Sequence, residues 1–141
     1  MRNITIAIDG HSSTGKSTIA KQLASALGYL YVDTGAMYRA ITLYAMQNGL
    51  ISKSNFNKEG LSEKLGEISL SFRTNKDTDK YDMFLNGKNV EKQIRTMEVS
   101  RHVSQIATVK AVREKLVAMQ QEMGKAKGIV MDGRDIGTVV F

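Results

Sequence analysis

At 141 residues, 42% of them hydrophobic and 24% charged, the chain is rich enough in apolar side chains for one globular domain and too rich for a disordered segment. It holds no cysteine and only two histidines, His11 and His102, which excludes a disulfide framework, a cysteine-ligated metal centre and a histidine-built site. Twenty Lys and Arg against fourteen Asp and Glu leave a net charge of +6, suited to polyanionic partners. The basic residues are scattered, with no run longer than the Lys125-Ala126-Lys127 pair. They read as solvated surface charge plus a few phosphate ligands, and no nucleic-acid partner is expected.

Met1 to Asp9 is too short an apolar run for a signal peptide or a membrane span, so a soluble cytoplasmic protein with no membrane partner is expected. Ile4 to Ile8 is a β-branched run closed by Asp9-Gly10, the pattern of a strand buried on both faces of a parallel sheet. Ile19, Ala20, Leu23, Ala24 and Leu27 then fall at helical spacing, and Gly28 sits where a C-terminal cap belongs. Tyr29 to Val32 predicts a second strand. Asp33-Thr34-Gly35 opens a second helix, with apolar positions at Met37, Ile41 and Ala45, that ends at Asn48-Gly49.

From Ile51 to Gly60 the chain turns polar, which marks a linker or hinge candidate before a brief helical stretch at Leu61 to Leu65. Ile68–Arg73 and Tyr81–Leu85 read as strands around the charged turn Asn75 to Asp79, and Asn86-Gly87 is a hairpin signal leading to Asn89-Val90. Together they predict a small antiparallel insert. From Thr96, apolar residues from Val99 to Met123 predict one long helix or two consecutive ones up to Gly124, followed by a strand at Gly128 to Asp132. No internal repeat or low-complexity tract interrupts this order.

The segment between the first strand and first helix is Gly10-x-x-x-x-Gly15-Lys16-Ser17, a P-loop in its confirming context. Glycines permit the tight loop, backbone N–H groups cradle phosphate oxygens, and the helix N-terminus favours negative charge. Lys16 is placed to reach the β and γ phosphates and Ser17 to offer its hydroxyl to Mg²⁺, so ATP with Mg²⁺ is the implied donor. The expected ATP-binding set is Gly10, His11, Ser12, Ser13, Thr14, Gly15, Lys16, Ser17 and Thr18, with His11 a variable loop position. A GTPase is disfavoured: Asn75-Lys76-Asp77 lacks the spacer of a guanine-reading motif and lies in the hairpin turn.

Four strings carry a more specific signal: Ile6 to Gly10 leading into the loop, Asp33-Thr34-Gly35-Ala36-Met37-Tyr38-Arg39, Ile94-Arg95-Thr96-Met97-Glu98-Val99, and Asp132 to Phe141 with Gly133-Arg134-Asp135 at its start. With these the chain resembles the N-terminal portion of bacterial cytidylate kinases, over essentially its whole length. The resemblance implies an α/β fold with a P-loop nucleoside monophosphate kinase-like parallel sheet flanked by helices. Residues 1–141 would form this kinase core, and about Leu61 to Arg95 would be its antiparallel insert for the nucleoside monophosphate. The implied activity is transfer of the γ-phosphoryl group of ATP to CMP or dCMP.

Residue by residue, the resemblance puts Thr34 and Arg39 on the acceptor, with Arg39 gripping its phosphate. It puts Ser104 and Arg113 on the cytosine ring, and Arg134 and Asp135 on phosphate and base. Lys16, Arg39 and Arg134 would be the catalytic cations, and Asp132 a second candidate beside Ser17 for Mg²⁺. Read without the resemblance, Arg39 and Arg113 are equally compatible with solvated helix arginines, and Arg134-Asp135 with a local ion pair in a turn. Ser104 and Arg113 are nine apart, so a bend near Thr108 is expected if both are to reach one base.

The resemblance also implies further strands and a lid with phosphate-binding arginines, which these 141 residues lack, so little or no turnover is expected from them alone. A monomer is expected for the intact protein, with strand exchange as an option for a fragment with an exposed sheet edge. The alternatives left open are another P-loop small-molecule kinase, of the adenylate or shikimate type, and a non-catalytic nucleotide-binding fragment.

Overall fold

The computed structural model describes residues 5–9, 16–77, 80–126 and 128–133. They form two compact units, one of Met1–Gly35 with Leu116–Phe141 and one of Ala36–Lys115.

The first unit is built on three parallel strands, β1 (Thr5–Asp9), β2 (Leu30–Asp33) and β6 (Ile129–Gly133), in the order β1-β6-β2. The last strand in sequence thus lies between the first two, and helix α1 (Lys16–Leu27), which connects them, packs on all three. Val32, Ile129 and Val130 are fully buried, as strands of a covered parallel sheet should be. The helical face differs from the one the spacing predicts. Ala20 and Ala24 are buried, whereas Ile19 and Leu27 are 58% and 45% exposed. Ile19 lies about 100° round the helix from Ala20 and Leu27 is the final helical residue, so the methyl groups of the two alanines make the close approach.

Both predicted glycine stops are present, and for the same reason. Gly28 (φ +68°) and Gly49 (φ +67°) adopt the left-handed conformation. At each, paired reverse bonds close the helix: Tyr29 N–H to the Ala24 carbonyl at 2.9 Å with Gly28 N–H to Ser25 at 3.3 Å, and Leu50 N–H to Ala45 at 2.8 Å with Gly49 N–H to Met46 at 3.3 Å. These are Schellman motifs, which satisfy carbonyls that a helix end would otherwise leave unpaired.

The second unit holds most of helix α2 (Thr34–Gln47), helix α3 (Lys58–Lys64), a three-stranded antiparallel sheet and helix α4 (Met97–Ala107). The sheet has the order β3 (Leu70–Asn75), β4 (Lys80–Leu85), β5 (Lys88–Asn89). Its β4–β5 turn is the predicted Asn86-Gly87, with φ of 50° and 83° at the two positions. Asp82, itself buried, accepts hydrogen bonds from Asn75 Nδ2 (2.8 Å) and Asn89 Nδ2 (2.9 Å), one from each outer strand.

The polar stretch read as a linker is instead a closed turn: Ile51 bridges Phe56, Ser52 N–H donates to Asn55 (2.8 Å), and Asn57 N–H donates back to Leu50 (2.7 Å). Ile51 is only 4% exposed. Asn57 then caps α3 by accepting from Gly60 N–H at 2.9 Å. The long helical tract divides at Thr108 into α4 and α5 (Lys110–Ala126), the second of the two forms anticipated. The Thr108 hydroxyl donates to the Gln105 carbonyl at 2.6 Å, in place of a continued helix.

Met83, fully buried in the central strand β4, is the most direct test of the second unit's packing. Met83→Ala should cost about 2–5 kcal/mol in denaturant unfolding, whereas Met83→Leu should cost less than about 1.5 kcal/mol.

Candidate functional site

In the first unit the strand ends define one edge. β1 runs parallel to β6 with Ile8 level with Asp132 and Asp9 level with Gly133, and β2 puts Asp33 level with Asp132 on the other side. All three apolar strands therefore reach an aspartate at their carboxyl ends, the edge where open parallel sheets bind ligands. Lys16, Ser17 and Thr18 form the first turn of α1, directly after the loop that follows β1. The loop residues Gly10, His11, Ser12, Ser13, Thr14 and Gly15, and the pair Arg134 and Asp135, lie outside the described residues. Among the described residues no three His, Asp or Glu side chains gather as a metal cluster.

Thr34 begins α2 and is 6% exposed. The Asp33 carboxylate lies close over Gly35: a Cβ there would come 3.3 Å from Asp33 Oδ1, a tight contact.

Within the second unit, α2 is buried on nearly every side. Ala36, Met37 and all residues from Ala40 to Ala45 are buried, and between them only Tyr38 and Arg39 keep substantial exposure. Arg39 is fixed rather than solvated. Its Nη1 donates to the Ile94 carbonyl (3.1 Å) and to Ser100 Oγ (2.8 Å). The Ser100 hydroxyl in turn donates to the Thr96 carbonyl at 3.2 Å. Thr96 is the N-cap of α4, accepting from Val99 N–H at 3.5 Å and donating its own hydroxyl to Gln93 at 2.9 Å. The string Ile94 to Val99 thus works as a bracket for Arg39, with the buried Ile94 and Val99 side chains seating it in the core.

Tyr38 lies within electrostatic reach of the Arg113 guanidinium. Burial raises the Tyr38 phenol above its ordinary value of 10.0, and the charge of Arg113 opposes the rise. Arg113 lies in the first turn of α5 and is exposed, as is Ser104 on α4. Neither side chain makes a hydrogen bond or ion pair among the described residues. The helix break at Thr108 falls between the two, where a bend was expected. Tyr38, Ser100 and the Ile94 carbonyl were not singled out by sequence reasoning, although Tyr38 and Ile94 lie inside two of the motif strings.

A separate cavity of about 320 Å³ lies between Met46, the Ile51–Lys53 turn and the α4 residues Glu98, Arg101 and His102. His102 Nδ1 is buried beside it without a hydrogen-bond partner among the described residues. None of the candidate catalytic, ligand-binding or metal-binding residues lines this cavity, although Glu98 belongs to one of the motif strings.

A parallel sheet whose first strand passes through a glycine loop into a helix, joined to an antiparallel sheet within the same chain, defines an α/β protein of the phosphate-loop class. Comparison with known proteins narrows this. A family model described as cytidylate kinase matches residues 6–141. The chain is 65% identical over all 141 residues to a cytidylate kinase of Flavobacterium johnsoniae, 63% identical to one of Flavobacterium psychrophilum and 61% identical to one of Parabacteroides distasonis. The chain belongs to the cytidylate kinase family. It spans 61–62% of the length of these relatives. Among the described residues no helix is long and apolar enough to cross a membrane.

The raised Tyr38 value has a signed consequence. The folded state holds the phenol proton more tightly than the unfolded chain, so this contribution is complete below pH 10.0 and is lost as pH rises through the folded value. Wild-type stability should therefore fall more steeply than that of Tyr38→Phe above about pH 10, measured by urea unfolding across the alkaline range. Parallel curves would refute the assignment.

Proposed function

We propose that this chain carries the donor loop and the acceptor pocket for transfer of the γ-phosphoryl group from ATP to CMP or dCMP, giving CDP or dCDP. The family match across residues 6–141 carries the reading, and the strand-to-helix context of the P-loop and the anchored Arg39 support it.

The donor residues belong to the first unit. Lys16 draws on the β and γ phosphates, and the N–H groups from Gly10 to Thr18 wrap them. The first turn of α1 carries the Ser17 hydroxyl and the strand-end row carries Asp132, both hard oxygen donors of the type Mg²⁺ accepts. Bound there, Mg²⁺ would neutralise phosphate charge. Arg134 supplies a further cation and Asp135 a contact to the base. Thr34 contacts the acceptor nucleotide.

The acceptor residues of the second unit are Arg39 on the CMP phosphate and Ser104 and Arg113 on the cytosine ring. The antiparallel sheet belongs to the part that binds the nucleoside monophosphate. The step is one displacement: a CMP phosphate oxygen forms the new bond to the γ phosphorus while the bond from γ phosphorus to the β-bridging oxygen breaks, and ADP leaves. The acceptor phosphate is ionised at neutral pH, so positioning and charge neutralisation do the work and no strong general base is needed. The protein acts in the cytoplasm as a monomer on small nucleotides.

Calorimetric titration of the 141-residue chain with CMP, dCMP, UMP and AMP tests the acceptor reading. CMP and dCMP should bind, AMP should not, and Arg39→Gln should weaken CMP by about tenfold or more. A preference for AMP would overturn it. Lys16→Ala should weaken ATP without altering CMP binding.

A further inference from the structure

We propose that Ser100 is a positioning residue for the acceptor phosphate and acts through Arg39. The inference rests on the reading of Arg39 as a phosphate ligand given above, and adds to it what decides which edge of the guanidinium is offered.

A guanidinium has five N–H groups in a planar fork, and the two on Nη1 point in different directions. In this structure both have acceptors, the Ile94 carbonyl at 3.1 Å and Ser100 Oγ at 2.8 Å. Arg39 Nε and Nη2 have no hydrogen-bond partner among the described residues. Two edges of an arginine can grip a phosphate in a bidentate manner, the end-on pair Nη1 and Nη2 and the side-on pair Nε and Nη2. With Nη1 saturated, the side-on pair is the one presented.

The hydroxyl is suited to this task because its own proton is already committed. It donates to the Thr96 carbonyl at 3.2 Å, so the oxygen turns its lone pairs towards Arg39. Thr96 is the N-cap of α4 and does not swing freely. A long flexible side chain is thereby held at its tip from two directions, by a backbone carbonyl and by a helix-borne hydroxyl. A carbonyl alone would let the plane of the guanidinium rotate about one contact. Ser100 itself does not touch the phosphate; it fixes the orientation of the group that does.

The test is calorimetric titration of the 141-residue chain with CMP and with cytidine, which lacks the phosphate. The variants are Ser100→Ala, Ser100→Thr, Arg39→Gln and the double variant Arg39→Gln/Ser100→Ala. Ser100→Ala should weaken CMP by about three- to tenfold and leave cytidine binding unchanged, since alanine suits a helix interior at least as well as serine and keeps α4 folded. Ser100→Thr, which keeps the hydroxyl, should return CMP affinity to within about twofold of wild type. The double variant should be no weaker than Arg39→Gln alone, because the hydroxyl has nothing left to position.

Wild-type CMP affinity in Ser100→Ala, with a loss in Arg39→Gln, would overturn this proposal and leave the role of Arg39 intact. Equal loss for CMP and cytidine in Ser100→Ala would also overturn it, since that is the signature of a purely structural serine. Undiminished CMP binding in Arg39→Gln, or wild-type binding of CMP no tighter than of cytidine, would sink the underlying reading and the proposal with it.

Discussion

Burial of α2 on almost every side dictates how the second unit is organised. A helix covered all round tolerates polar side chains only where their hydrogen-bonding groups find partners. Thr42, fully buried, returns its hydroxyl to the Tyr38 carbonyl at 2.8 Å. Arg39 cannot be satisfied within its own helix, so it reaches Ile94 and Ser100. That one guanidinium therefore joins three stretches of chain: α2, the short turn of Gln93–Arg95, and the first turns of α4. These contacts fix the orientation of a half-buried guanidinium.

The first unit solves a different problem. Its strands are largely apolar until their carboxyl ends, and Val32, Ile129 and Val130 are fully buried. Charge is confined to the carboxyl ends, in the row through Ile8, Asp132 and Asp33 and the row through Asp9 and Gly133. Insertion of β6 between β1 and β2 gives the middle of that edge to Asp132. An acid there is set by backbone register with neighbours on both sides, which makes its placement insensitive to the rotamers of surrounding side chains.

Much of this was legible in local pattern. The glycines at 28 and 49, the Asn86-Gly87 turn and the three parallel strands each follow from one residue type whose backbone preference or apolar run has few interpretations. The Ile51–Phe56 turn was not legible: in a polar stretch two isolated apolar residues carry no periodicity, and their pairing is a single bridge. The working face of α1 was misjudged because spacing weighs an isoleucine above an alanine, whereas close helix-to-sheet contact favours the smaller residue. For the candidate site, motif strings identified Arg39, yet nothing near it in sequence points to its partners. The Ile94 carbonyl is 55 positions away and Ser100 is 61. A backbone acceptor has no residue type to recognise, and a serine in a helix is too common to stand out.

The Asp82 carboxylate in the centre of the antiparallel sheet, tied to an asparagine on each outer strand, bears on how the chain avoids misassembly. Side chains alternate along a strand, so a slip of one residue in either pairing would turn Asp82 away from one of its amides and leave apolar partners such as Met83 and Leu85 facing the wrong side. The two bonds act together as a proofreading contact, because only one alignment of all three strands satisfies both. With β5 only two residues long, backbone pairing alone could hardly distinguish the correct alignment from its neighbours. Selection against off-register assemblies is then shared between the Asn86-Gly87 turn, the buried Met83 and Leu85 face, and this one acid on the opposite face.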